Sequence, residues 1–125
     1  YPWGNTFRPG LANVTVRGGR TDPTSRQSCP VDSPGDKMPV GSFPDGASPY
    51  GCLDMAGNIW EWVSTVYADP WFPGEGRPLE RGILRGGAYG YSPSAARTYA
   101  VGFEGLQATC SDTGFRCAAD ARPSH

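Results

Sequence analysis

Histidine is all but missing from this chain of 125 residues: its one imidazole is His125, at the very end. That removes Ser-His-Asp and Cys-His nucleophilic machinery, and histidine-rich metal sites, from what the chain can build unaided. Cysteine is sparse, at positions 29, 52, 110 and 117, and none of the four stands in CxxC spacing, which excludes a zinc ribbon or a thioredoxin-like motif. Cys29 and Cys110 are the disulfide candidates, and no pairing follows from the sequence. There is no apolar run near the roughly 20 residues of a membrane span. Positive charge is not in surplus either, with 11 Lys and Arg against 12 Asp and Glu, so a nucleic-acid partner has no electrostatic support. Leu, Ile, Val and Phe are scarce for a globular core.

What is abundant is glycine and proline, 18 and 13 residues, near the level at which disorder becomes a serious reading. Two facts oppose it. The net charge is only -1 and aromatic residues make up 12%, so collapse is neither resisted by charge nor short of large apolar surfaces. The length suits one domain. The expectation is a folded, loop-rich domain with a small aromatic core and a need for some extra brace. Tyr1 in place of a methionine, with no charged-then-apolar leader, is what a trimmed, cleaved or excerpted chain would show.

The densest stretch is YGCLDMAGNIWEW, residues 50–62. Side chains alternate along a strand, so Trp60 and Trp62 share one face while Glu61 shares the other with Val63. Two indoles, each with roughly 150–250 Å² to bury, seed a core. Asp54 and Asn58 lie upstream across a Gly-Asn turn, which places an oxygen-rich pocket beside that strand. Elsewhere, 12–16 alternates well enough for a short strand, and 17–36 reads as a long polar loop in which Asp22, Asp32 and Asp36 suit solvated turns. Residues 39–44 read as extended, and 69–81 as a Gly- and Pro-rich loop with Trp71 and Phe72 exposed or folded back. A strand at 83–85 ends at Gly86-Gly87, where close backbone approach is expected. Residues 88–114 show no periodicity, 115–118 reads as a last strand, and 118–125 as a tail.

YPWGN, AN, PVGSFP, SPYGCLDMAGNIWEWVS, LRGGAY and GFRCAAD, in that order, resemble the C-terminal half of the formylglycine-generating enzyme, or sulfatase-modifying factor, family. The resemblance implies an α+β, C-type-lectin-like fold with much irregular structure and little helix. It implies two calcium sites, one at Asn13, Val14, Asp32 and Pro34, the other at Asp54, Gly57, Ile59 and Glu61, several acting through backbone carbonyls. Calcium takes six to eight oxygens in a flexible shell, and metal bound only by the folded state would supply the missing brace. The plain alternative for Glu61 is a carboxylate paired with an arginine such as Arg85. The catalytic feature does not carry over. Where family enzymes have a Ser after Gly-Gly and two copper-binding cysteines, this chain has Ala88, Tyr91 and Ala96, and neither phenol nor methyl replaces a thiolate for Cu(I). No copper is expected. The family's preceding half, which ends in an RLPTEAEWEYA-like helix, is not in this sequence, so the expected partner is that half or another chain.

Some non-catalytic relatives with this fold are variable proteins of diversity-generating retroelements, whose randomised codons cannot yield Lys, Glu, Gln, Met or Trp. Between residues 88 and 114 only Glu104 and Gln107 fall outside the reachable set. Small residues with tyrosine also suit a binding face, here Tyr91, Ser92, Ser94, Tyr99 and Phe103, for a protein or small ligand; by analogy with the aromatic that follows Gly-Gly in the family, Tyr89 is expected in the core. Three rivals stand beside this binding module. One is a family oxidase completed by a missing segment, another a structural module of a larger enzyme. The third, glycoside hydrolysis by Glu61 with Asp54, is disfavoured because Glu61 alternates with two tryptophans.

Overall fold

The computed structural model describes residues 1–21, 35–74 and 77–120, with the backbone alone for 70–74, 77 and 78. Asp22, Cys29, Asp32 and Pro34 lie outside the described residues, as do the side chains of Trp71 and Phe72. A four-stranded mixed sheet is the framework, built from β1 (Trp60–Gly74), β2 (Arg77–Arg85), β3 (Gly102–Gly105) and β4 (Thr113–Gly114), in the order β3-β2-β1-β4. Two 3-10 turns, Pro44–Gly46 and Pro93–Ala96, are the helical content among the described residues, and no helix there is long and apolar enough to cross a membrane.

β1 opens with aromatic and β-branched residues, the types that fit a pleated, half-buried surface. It pairs antiparallel with β2, Glu61 opposite Arg85 and Trp62 opposite Leu84. This places Trp60, Trp62, Gly82 and Leu84 on one face, and Glu61, Tyr67, Ile83, Arg85 and Phe103 on the other. The packing agrees. Trp60 is 2% exposed and joins Leu84, Ala88 and Ala95 in a core against which Trp62 and Tyr91 lean. A Cβ on Gly82 would overlap the Trp62 ring, so the missing side chain is what lets the indole lie flat on β2. A second cluster, Ala12, Ala56 and Ala96, is covered by Tyr1, Trp3 and Val14, with Tyr1 and Trp3 stacked at 5.4 Å. Aromatic rings laid on alanines form the small aromatic core the composition called for.

The strand boundaries differ from the sequence reading in several places. The hairpin runs on to Gly74 paired with Arg77, through residues read as loop. The ladder tolerates its prolines because the register slips between Asp69 and Pro73, and an irregularity is where a residue without an N–H fits a strand. Residues 12–16 form no strand, because their backbone groups are spent elsewhere: Thr15 N–H donates to Tyr91 O and Asn13 O accepts from Asn58 N–H. The 39–44 stretch turns, with Ser42 N–H on Pro39 O. Residues 88–114 hold β3 and a 3-10 turn, and the last strand is Thr113–Gly114, not 115–118.

Candidate functional site

The loop before β1 takes its shape from three residues with left-handed backbone, Asp54 (φ 54°), Gly57 (φ 73°) and Asn58 (φ 72°). At Gly57 a Cβ would come 2.5 Å from Asn13 O, so a hydrogen is the largest group that fits, while its N–H donates to Gly86 O at 2.7 Å. Asn58, buried, is the hub. Its Oδ1 accepts from Asn13 Nδ2 at 3.0 Å and Met38 N–H at 2.8 Å, and its Nδ2 donates to Met38 O at 3.1 Å. Its own N–H and C=O join Asn13 O and Tyr89 N–H. Four segments distant in sequence, around residues 13, 38, 58 and 89, thus meet at one residue.

Between this loop, the 39–41 turn and the segment after β4 lies a cleft of about 520 Å³. Asp54, Gly57, Ile59 and Glu61 all line it, with Val40 and Phe115 at the rim. Asp54 Oδ2 accepts from Gly41 N–H at 2.7 Å, which closes the turn over the cleft. Glu61 meets Arg116: Nε donates to Oε2 at 2.6 Å and Nη2 to Oε1 at 2.5 Å. The same guanidinium donates to Leu53 O at 2.9 Å and Asp54 O at 3.0 Å. Its pKa is raised, first by the hydrogen bonds to Glu61. The arginine partner of Glu61 is therefore Arg116 and not Arg85, whose guanidinium instead donates to the Tyr99 and Ala100 carbonyls.

The four residues expected for the second calcium site thus line one cleft, and carboxylates and loop carbonyls are the donor types calcium uses. Among the described residues no three His, Cys, Asp or Glu side chains form a metal-binding group, so any cation there would have to draw on backbone oxygen. Of the first set, Asn13 is tied to Asn58 and to Asp36 O at 2.9 Å, and Val14 packs on the second core cluster. Cys110 is disulfide-bonded, whereas Cys52 and Cys117 are exposed free thiols.

A second constellation surrounds Tyr91. Its ring meets Trp60 edge-on at 5.2 Å, and the Arg20 guanidinium carbon lies 5.4 Å from its centroid. Burial pushes the phenol up, Arg20 opposes this and Asp112 adds to it. Asp112, 3% exposed, is itself raised, mainly by burial; the Thr113 hydroxyl, bonded at 3.2 Å, and Arg20 pull down, and Glu104 pushes up. A carboxyl raised above its unfolded value opposes folding when ionised. Its cost is fully present above the folded pKa and fades as pH falls through it. Asp112→Asn is therefore expected to melt higher than the parent near neutrality, with the gap closing in acid; parallel pH–melting curves would refute this.

The expected ligand face is divided. Tyr91 sits on the Trp60 side of the sheet, whereas Phe103 packs on Tyr67 at 5.0 Å on the other. The Ser92 and Ser94 hydroxyls lie 2.6 Å apart. Tyr99, 71% exposed, has its hydroxyl on Arg97 at 3.0 Å. Tyr89 is core, as expected. Sequence reasoning missed Arg116 and Asp112. β4, two residues long, pairs parallel with Trp60 and Glu61, and no local periodicity announces so short a strand.

The sequence model of the Sulfatase-modifying factor enzyme 1-like domain matches residues 1–121. The chain is 33% identical over 136 residues to a formylglycine-generating enzyme of Streptomyces coelicolor, covering 97% of this chain and 40% of that protein. It is 30% identical over 111 residues to a hercynine oxygenase of Mycolicibacterium smegmatis (78% of this chain, 22% of that one). To an inactive C-alpha-formylglycine-generating enzyme 2 of Bos taurus it is 28% identical over 126 residues (97% and 38%). It thus spans well under half the length of these curated relatives. A crystal structure of CarF shares the fold with a TM-score of 0.58 at 23% identity, over 87% of this chain and 32% of that one. With a match that runs from the stacked Tyr1 and Trp3 past β4 and Arg116, the chain belongs to the sulfatase-modifying factor family.

Proposed function

We propose that this chain is a non-catalytic, calcium-stabilised binding module with a C-type-lectin-like organisation, completed by further polypeptide. One observation supports the non-catalytic reading: the residues that the resemblance sets against the family's serine and copper ligands are packing residues here. Ala88 and Ala96 are 0% and 1% exposed, and Tyr91 is wedged against Trp60, with hard oxygen where Cu(I) chemistry requires thiolate. The relative named as inactive, similar over 97% of this chain, is in keeping with it. Purified protein given copper and a cysteine-containing sulfatase peptide is expected to consume no oxygen above background. Turnover would overturn the assignment in favour of a family oxidase.

Calcium is supported by the convergence of Asp54, Gly57, Ile59 and Glu61 on one cleft. The Asp54 and Glu61 carboxylates and the Gly57 and Ile59 carbonyls would hold the ion, whose charge would tie the loop to β1. Melting with calcium is expected to exceed melting with chelator by several degrees, and coincident curves would remove the site. Completion by other polypeptide is supported by the thin core: among the described residues no large side chain falls below 2% exposure, while Val40, Tyr50 and Phe115 are 87%, 93% and 75% exposed. The binding face reduces to the exposed part of 88–114, centred on Tyr99 and Arg97 with Ser92 and Ser94 near by in sequence. Ala88, Tyr89, Ala95, Ala96 and Ala100 are buried, so retroelement-type diversity would be displayed only on the remainder.

A further inference from the structure

Four oxygens converge on the Arg116 guanidinium, Glu61 Oε1 and Oε2 and the Leu53 and Asp54 carbonyls, at 2.5–3.0 Å. This is an oxygen cage filled by a cation that the chain itself supplies. The pair is only partly screened by solvent, with the Glu61 side chain 19% and that of Arg116 39% exposed. A bidentate, charge-assisted pairing of this kind is stronger than a neutral one and fixed in geometry. Both carboxylate oxygens of Glu61 are committed to it. Asp54 belongs to the same electrostatic unit, since its charge also acts on Arg116.

We propose that Arg116 is a built-in competitor for the divalent cation, exchanging with it at Glu61, so that the cleft alternates between an arginine-latched and a metal-loaded form. This rests on the calcium reading above and adds a regulatory element to it. With Arg116 in place, an incoming cation meets two carboxylates already half neutralised and must take Glu61 from two short hydrogen bonds. Once the metal holds Glu61, the guanidinium loses the carboxylate half of its cage. The segment after β4, joined to the loop through Arg116, is then freed on that side. Phe115, exposed at the cleft rim, moves with it, which would let metal occupancy alter the apolar surface offered to a partner. Lysine could not substitute: a single ammonium cannot span the carboxylate fork and both carbonyls.

The test is calcium titration by calorimetry on the wild-type chain and on Arg116→Gln. The variant is expected to bind calcium roughly tenfold more tightly, since hydrogen bonds to a charged group no longer oppose binding. It is also expected to melt lower in chelator and to gain more from calcium. In the wild-type chain, which needs no variant to fold, the Arg116 Nε–H resonance is expected to lose its carboxylate-bonded shift and exchange faster with water as calcium is added. Equal or weaker binding by Arg116→Gln, or calcium binding with an unmoved Arg116 signal, would overturn the competition and leave the calcium site standing. Absence of calcium binding in both proteins would overturn both.

Discussion

Asn58→Ala is expected to lower the unfolding free energy by about 4 kcal/mol, measured by urea denaturation followed through tryptophan fluorescence. The side chain satisfies Met38 N–H and Met38 O together and takes one hydrogen bond from Asn13 Nδ2. Methyl replaces none of these, and each stranded, partly buried polar group costs about 1–3 kcal/mol. The backbone adds to the loss. Asn58 sits at φ 72°, a conformation that asparagine tolerates and alanine resists by about 1–2 kcal/mol. Asn58→Gly separates the two contributions, because it keeps the backbone free and removes only the hydrogen bonds. It should fall between the parent and the alanine variant. Since small domains hold only about 5–15 kcal/mol in total, Asn58→Ala should leave the fold marginal, and a loss below about 1 kcal/mol would mean that Asn58 is not the hub of this loop.

Trp60→Ala is expected to cost about 3–5 kcal/mol, as removal of a buried aromatic side chain does. Trp60 is 2% exposed, clusters with Leu84, Ala88 and Ala95, and meets Tyr91 edge-on. The alanines around it are too short to move into the space, so the cavity stays open. Its edge-on contact with Tyr91 should appear as a coupling of about 0.5–1.5 kcal/mol in a double-mutant cycle with Tyr91→Ala. Zero coupling would show that the phenol is not part of the core and would return Tyr91 to the list of residues available for ligand.

Much of the site was legible because its chemistry is local. The alternation of Trp60, Glu61 and Trp62 assigns one face to the core and the other to a polar cleft, and the structure follows it. Tyr89 was read as core through the family resemblance, which has an aromatic residue after Gly-Gly, and it is buried. The four residues matched to the second calcium position come from eight consecutive residues, 54–61, so the loop that joins them also gathers them. The Glu61 partner was not legible. Arg85 faces Glu61 across the β1–β2 ladder, yet its guanidinium turns to the Tyr99 and Ala100 carbonyls, while Arg116 arrives 55 residues away in sequence. The ligand face failed to assemble for a similar reason. Tyr91 and Phe103 are twelve residues apart but fall on opposite sides of one sheet, and only the register of β2 with β3 decides that.

By itself the amino-acid order determined the composition of the core, the polarity of the two faces at the start of β1, and the family, because these depend on side-chain type and on neighbours a few positions apart. Tertiary structure alone decided that the hairpin runs through its prolines, that Asp112 is buried beside Tyr91, and that an arginine occupies the carboxylate of Glu61. Those outcomes turn on parallel pairing and loop packing between segments far apart in the chain, where a two-residue strand positions a charge and leaves no periodic trace in the sequence.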